Sequence, residues 1–598
     1  MSSVTRTDGY APIRDYAAVG DGRTVALIAR DGSIDWLCLP DLDSPSVFGA
    51  LLDAETGGRF ALSPDVPYGA ARRYTPGTNV LETTFTTASG SVRVTDAMTL
   101  PESGFAPYRE LVRRVDGLSG RVPMGWRLEP RFEYGAAQPQ VSSRAGVPTI
   151  ANRRDALALL SWEAGERTVR ADGVAGRFET SEGSVSHLVM SVSHQEPLVL
   201  PARDEVEARL QGTTRSWREW TAGRTYDGPW EDAVLRSALA LKLLVFAPSG
   251  AIAAAATTSL PEAIGGPRNW DYRYSWPRDA AFTLRALLAL GCDREARAFF
   301  SWLMHASQLT DPDVQVLYRL NGRAEAEERS LPLAGYRGSR PVRIGNAAAA
   351  QTQLDLYGEV LDAAAELARF GGTLDRDQGK RLARIADYVC EVWSEPDAGI
   401  WETRSAPAHY TQSKMMCFVA LDRACGLADR GLLRGDPARW SGERERIREF
   451  VETRCYDERK RSYTRSAEED ILDGALLLGV IARYDDPGSP RLRGTVDAIR
   501  RELGVGPLVH RYLGEDGLPG EDGAFLACSF WLAEAYARQG RLKEASALMD
   551  ELVALANDVG LYAEEIDPGT GDFLGNFPQA LSHLALVNAA FAIGEAAR

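Results

Sequence analysis

Histidine and cysteine are scarce in this 598-residue sequence, six and seven respectively, and neither falls in a metal-ligand spacing. The cysteines, Cys38, Cys292, Cys390, Cys417, Cys425, Cys455 and Cys528, are odd in number and scattered, with no CxxC pair. A zinc cluster and a disulfide framework are both disfavoured. Long hydrophobic runs are also missing: the most apolar stretch, residues 238–260, is interrupted by Lys242, Pro248 and Gly250, so no membrane span is expected. No basic block stands out against a net charge of −15, which sets nucleic acid aside as a partner. The opening residues MSSVTRTDGYAPIRDY contain neither a basic nor an apolar signal region, and the cytoplasm is the expected compartment.

What remains is an ordinary globular composition, 44% hydrophobic and 25% charged, in a chain too long for one core. Up to about residue 220 the pattern has period two, as in TVALIARDGSIDWLCLP and SVSHLVMSVSH. Half-buried strands of this kind need a second sheet over their apolar faces, so an antiparallel β-sandwich with a linker helix is predicted for 1–220. From Trp230 the period becomes 3.6 in about a dozen segments: 230–246, 279–291, 294–307, 350–369, 376–394, 412–429, 437–454, 470–483, 491–503, 524–539, 541–557 and 578–595. Twelve helices fit six inner and six outer ones, an (α/α)6 barrel over 221–598. Connections alternate between tight and long, which gathers the long, aromatic-rich ones on one face, where a site would be built.

Four segments carry candidate chemistry. In GGPRNWDYRYSWPRDA, Trp270, Tyr272, Tyr274 and Trp276 precede Arg278 and Asp279 at a helix start. Rings stack on sugar faces, and an Arg donor beside an Asp acceptor suits vicinal hydroxyls. PVRIGNAA offers Arg343 and Asn346. Glu402 follows Trp401, whose apolar surface would keep a carboxyl protonated, as a proton donor requires. In LYAEEIDPGTGDFLGNFPQALSHLALVNAA, one of the adjacent Glu564 and Glu565 would face a pocket and activate water. Each has a plainer alternative: Asp279 as partner of a helix dipole, Asn346 as a helix cap, and the glutamates as solvated loop residues.

NWDYRYSWPRDA, PVRIGNAA, GIWETR with HYTQSKMMCFVALDRA, LPGEDGAFLACSFW, and AEEIDPGTGDFLGNFPQALSHLALVN together resemble glycoside hydrolase family 15, the glucoamylase, glucodextranase and bacterial trehalase group. YAPIRDYAAVGDGRTVALIARDGSIDWLCLPDLDSPSVFGALLD resembles the β-domain that precedes the barrel in bacterial and archaeal members. The resemblance implies an inverting mechanism with Glu402 as general acid and Glu564 as general base. It further implies that Arg278 and Asp279 hold the non-reducing-end glucose within a shell of Trp270, Trp276, Trp401 and Trp531. Ser275-Trp276-Pro277 departs from the residues common in the family, and Pro277 stiffens the turn that presents Arg278.

The expected activity is exo-hydrolysis of a small α-glucoside with release of β-glucose. Trehalose ranks first because neither a signal peptide nor a starch-binding module is visible, and malto- or isomalto-oligosaccharides follow. No cofactor or metal is required by this reading; activation by phosphate or a divalent cation, and homo-oligomerisation, stay open. Two rivals of other classes are a disaccharide phosphorylase, which needs one acid and an anion site, and a catalytically silent glycan-binding protein.

Overall fold

The computed structural model describes residues 5–100, 109–514, 519–520 and 522–598. Leu518 and Glu521 of the LPGEDGAFLACSFW motif lie outside the described residues. Fifteen strands among the described residues of the N-terminal region pair antiparallel throughout, and Arg59–Pro64 alternates half-buried with buried side chains as a period-two strand should. The 20-residue strand Glu110–Glu129 belongs to both layers of the sandwich. Its first half pairs with Gly90–Met98 and Val185–His194, and its second half with Arg59–Pro64 and Gly173–Ser181. Gly120 marks the switch. At φ +62, with the Ser89 carbonyl oxygen 2.1 Å from where a Cβ would sit, the position admits only glycine.

Helix α1 (Arg203–Ala222) leads out of the sandwich, and the predicted division at 220/221 falls inside its last turn. Twelve helices follow among the described residues: α2 (Glu231–Leu244), α3 (Ala280–Ala289), α4 (Asp293–Ala306), α5 (Asp355–Arg369), α6 (Arg376–Val392), α7 (Thr411–Asp429), α8 (Pro437–Arg454), α9 (Leu477–Ile481), α10 (Pro490–Glu502), α11 (Leu526–Arg538), α12 (Leu542–Val553) and α13 (Ala580–Ala596). Helices α3, α5, α7, α9, α11 and α13 touch in sequence and close a ring, and the other six cover it. The architecture is a β-sandwich followed by an (α/α)6 barrel. Start chemistry places the outer helices: Asp375 and Gln378 cap α6 reciprocally, and Pro437 opens α8 after Asp436. The segment predicted as helix 470–483 shrinks to α9 behind a 3₁₀ turn, and 350–369 begins only at Asp355.

Links from inner to outer helices are short, as in 290–292 and 539–541, whereas those entering the inner helices are long: 245–279, 307–354, 393–410, 455–476, 503–525 and 554–579. All the long loops therefore meet at the N-terminal ends of the inner helices. Those ends carry the positive poles of the helix dipoles and favour carboxylates beside them.

The sandwich braces the first of the site loops, 245–279. Trp36 Nε1 donates to the Ala256 carbonyl at 2.8 Å, and Arg273 Nη1 to the Ser44 carbonyl at 2.7 Å. Arg273 also forms a buried two-pronged pair with Asp271 at 2.8 and 2.7 Å. Arg273→Met strands the Asp271 carboxylate and should cost about 3–5 kcal/mol, readable as an earlier denaturant midpoint; an unchanged midpoint would refute this brace. No helix among the described residues is long and apolar enough to cross a membrane.

Candidate active site

Five of the six long loops line one pocket, with about 880 Å³ of free space including its open mouth. Loop 245–279 supplies Glu262, Arg268, Trp270, Tyr272, Trp276, Arg278 and Asp279; loop 307–354 supplies Asn346; loop 393–410 supplies Trp401, Glu402 and Arg404; loop 503–525 supplies Arg511; and loop 554–579 supplies Glu564. Trp531, on α11, completes the floor. The sixth loop acts indirectly: Asp473 accepts a 2.8 Å hydrogen bond from Trp401 Nε1 and holds that ring.

Glu402 sits at φ +57 in the loop before α7, a left-handed conformation that a non-glycine residue adopts at a local cost of order 1 kcal/mol. Its Oε1 accepts from Trp276 Nε1 at 2.7 Å and from Arg278 Nη1 at 3.1 Å. Arg278 Nη1 also reaches the Ile400 carbonyl at 2.8 Å, and its Nε lies 3.3 Å from Asp279. The expected Arg278–Asp279 clamp is thus tied directly to Glu402. Burial pushes the Asp279 carboxyl up, opposed by the Arg278 charge. Trp401 packs against Phe525 and Trp531, with ring centroids at 5.3 and 6.2 Å.

Glu564 enters from the opposite side of the ring. Its Oε2 accepts from the Asn576 backbone N–H at 3.1 Å, whereas Oε1 is buried with no hydrogen-bond partner among the described residues. Asn576 in turn donates to the Trp270 carbonyl at 2.9 Å, which couples the position of Glu564 to the aromatic loop. Burial, reinforced by the charge of Glu262, pushes the Glu564 carboxyl up to about 8 against the pull of Arg511. Tyr272 lines the same pocket and lies within electrostatic range of both Glu564 and Glu402.

Gly575 makes room for this carboxylate: at φ +70, an added Cβ would lie 2.4 Å from Glu564 Oε2 and 2.6 Å from its Cβ. Gly575→Ala should displace Glu564 and cut turnover on the order of a hundredfold, the scale of an ångström-sized misplacement. Wild-type turnover in that variant would contradict this packing.

The adjacent glutamates divide as strand neighbours do, pointing to opposite sides. Glu565 turns away from the pocket lining, accepts from the Gly523 N–H at 2.9 Å and pairs with Arg511 at 3.2 Å. Arg511 also pairs with Glu262 at 2.8 Å and Asp522 at 2.5 Å. Glu262, Asp522 and Glu565 offer oxygens within 4.8 Å of one another, a geometry that could hold a cation. Arg511, and Arg268 at 3.0 Å from Asp522, already supply positive charge there.

Two predicted residues do not reach the pocket. Tyr274 is buried outside the lining, 5.9 Å from the Arg319 guanidinium, because the strand ends at Asp271 and the chain bends at 273–274, so Tyr274 does not keep the face of Trp270 and Tyr272. Arg343 lies behind Trp270, 4.5 Å from its ring, and donates to the Pro267 and Asn269 carbonyls. Asn346 both lines the pocket and caps a short 3₁₀ turn through Ala348 N at 2.9 Å. Arg404 closes the GIWETR motif without being singled out by it, and Glu262, Arg511 and Asp473 escaped the sequence reading altogether. These three are single charges in irregular loops, and no period or motif announces them.

An (α/α)6 barrel that gathers two opposed carboxylates and a wall of indoles at the N-terminal ends of its inner helices has the form of a carbohydrate-cleaving enzyme. The model of glycosyl hydrolases family 15 matches residues 228–591, and a trehalase-like N-terminal model matches residues 6–193. The chain belongs to glycosyl hydrolase family 15. Among similar proteins, a trehalase of Mycolicibacterium smegmatis is 39% identical over 614 residues, covering 98% of this chain and 92% of that one. A trehalase of Thermoplasma volcanium is 35% identical over 599 residues, covering 98% and 94%. A bacterial glucoamylase complexed with acarbose superposes with a TM-score of 0.71 at 13% identity, over 99% of this chain and 96% of that one; the likeness is one of fold.

Proposed function

We propose that the protein is an inverting, exo-acting α-glucosidase of trehalase type, working as a sandwich (1–220) that braces a catalytic barrel (221–598). The observation that carries this reading is the pair Glu402 and Glu564, which line one pocket from the loops before α7 and α13, on opposite sides of the helical ring. The terminal glucose occupies the buried end against Trp276, Trp401 and Trp531, with Asp279 as hydroxyl acceptor. Glu402 gives its proton to the glycosidic oxygen as the C1–O bond breaks. Trp276 Nε1–H and Arg278 then receive the charge that Glu402 acquires. On the other face, the unpartnered Oε1 of Glu564 takes a proton from the water that attacks C1, so the new bond forms with inversion.

Trehalose is the preferred substrate in this reading, supported by full-length relatives named trehalases. The glucoamylase-type alternative rests on fold likeness alone. Glucose release from trehalose, maltose, isomaltose, kojibiose and nigerose, without phosphate, tests the choice: trehalose should lead, and a strict need for phosphate with glucose 1-phosphate as product would indicate a phosphorylase.

The raised carboxyl of Glu564 fixes the sign of the pH dependence. A base must be ionised, so kcat/KM should climb as pH rises toward about 8. If Glu564 were the proton donor, activity would instead fall over the same range.

A further inference from the structure

The glucosidase reading places the first sugar at the buried end of the pocket and leaves the leaving sugar to the mouth beside Glu402. We propose that Arg404 is the residue that recognises this leaving glucose and sets the preference for a disaccharide. Arg404 stands two positions after the acid, lines the same pocket, and keeps 32% of its side chain exposed, against 14% for Arg278 deeper in. Its place is at the mouth. Its guanidinium lies 4.8 Å from the Trp270 ring centroid, and Nη2 is 3.3 Å from Glu328 Oε2.

Arg343 shares that scaffold from outside the lining, 4.5 Å from the same ring and 3.3 Å from the other Glu328 oxygen. Glu328 and Arg343 therefore fix the Trp270–Arg404 pair without touching the pocket themselves. A guanidinium carries five N–H donors. Glu328 engages one nitrogen of Arg404, which leaves donors for a ligand next to an aromatic wall. A planar donor fork beside an indole suits a neutral sugar ring with free hydroxyls. Two residues after the acid and nearer the mouth, Arg404 stands on the side of the pocket where the glucosidase reading puts the expelled sugar.

The test compares trehalose with α-glucosyl fluoride, whose leaving group carries no second sugar. Loss of a charge-assisted hydrogen bond to the leaving glucose should lower kcat/KM for trehalose about 10- to 100-fold more than for the fluoride in Arg404→Met. Arg404→Lys, which keeps the charge but not the fork, should fall between wild type and Arg404→Met. Equal losses on both substrates, or no loss on trehalose, would overturn the assignment. Wild-type protein that hydrolyses neither compound would overturn the glucosidase reading itself, a separate failure.

Discussion

Glu564→Gln should lower kcat on trehalose by at least about a hundredfold, the usual scale of a lost general base, without damaging the fold. Gln keeps the acceptor for the Asn576 N–H and fits the same space beside Gly575. Its effect on stability should run the other way. Burial raises the Glu564 carboxyl from the ordinary 4.5 to about 8 in the folded chain, so ionisation opposes folding. The folded state keeps the proton more tightly, and the resulting stability is complete below the unfolded value and lost as pH rises toward the folded one. Gln never ionises, so near pH 8 the variant should unfold at a temperature no lower than the parent's. Calorimetry and steady-state kinetics on the same preparation check both halves: a large fall in turnover with unimpaired stability is expected. Near-normal turnover would remove Glu564 from the chemistry.

The second large effect is expected at Glu402. Glu402→Gln cannot donate a proton to the glycosidic oxygen, and trehalose hydrolysis should fall about a thousandfold, within the range for a lost general acid. The variant separates two roles. Fluoride departs with little need of protonation, so α-glucosyl fluoride should retain far more of its rate than trehalose. Equal collapse on both substrates would mean that Glu402 serves binding or the fold, through its bonds to Trp276 and Arg278, instead of proton transfer. Because both bonds end on Oε1, Trp276→Phe should weaken catalysis more modestly, by removing one of the two donors that orient the acid.

Much of this architecture is written in the residue pattern. Period two breaks into period 3.6 after residue 220, and start signals such as Asp375 with Gln378 place outer helices closely. Helix α9 was harder to bound, because Leu476 to Ile481 is buried all round and such a run shows no helical face. The site was legible where residues cluster and obscure where geometry decides. Trp270, Trp276, Arg278, Asp279, Trp401, Glu402 and Glu564 line one pocket. Adjacent Glu564 and Glu565 cannot be told apart by spacing; a short strand pairing with Ala524–Phe525 turns one inward and ties the other to Gly523 and Arg511. Tyr274 parts from the other rings because alternation along an irregular segment does not hold one face. Arg511 and Glu262 are 249 residues apart in sequence, and nothing local to either announces the pair.

Proton magnetic resonance of the first sugar released from trehalose tests the opposed acid and base most directly. Attack of water on the face away from the leaving group should give α- and β-glucose in equal amounts before mutarotation, β from the sugar attacked and α from the one expelled. Early product that is α-glucose alone would show retention, and Glu402 and Glu564 could not then act as an acid and a water-activating base across one pocket.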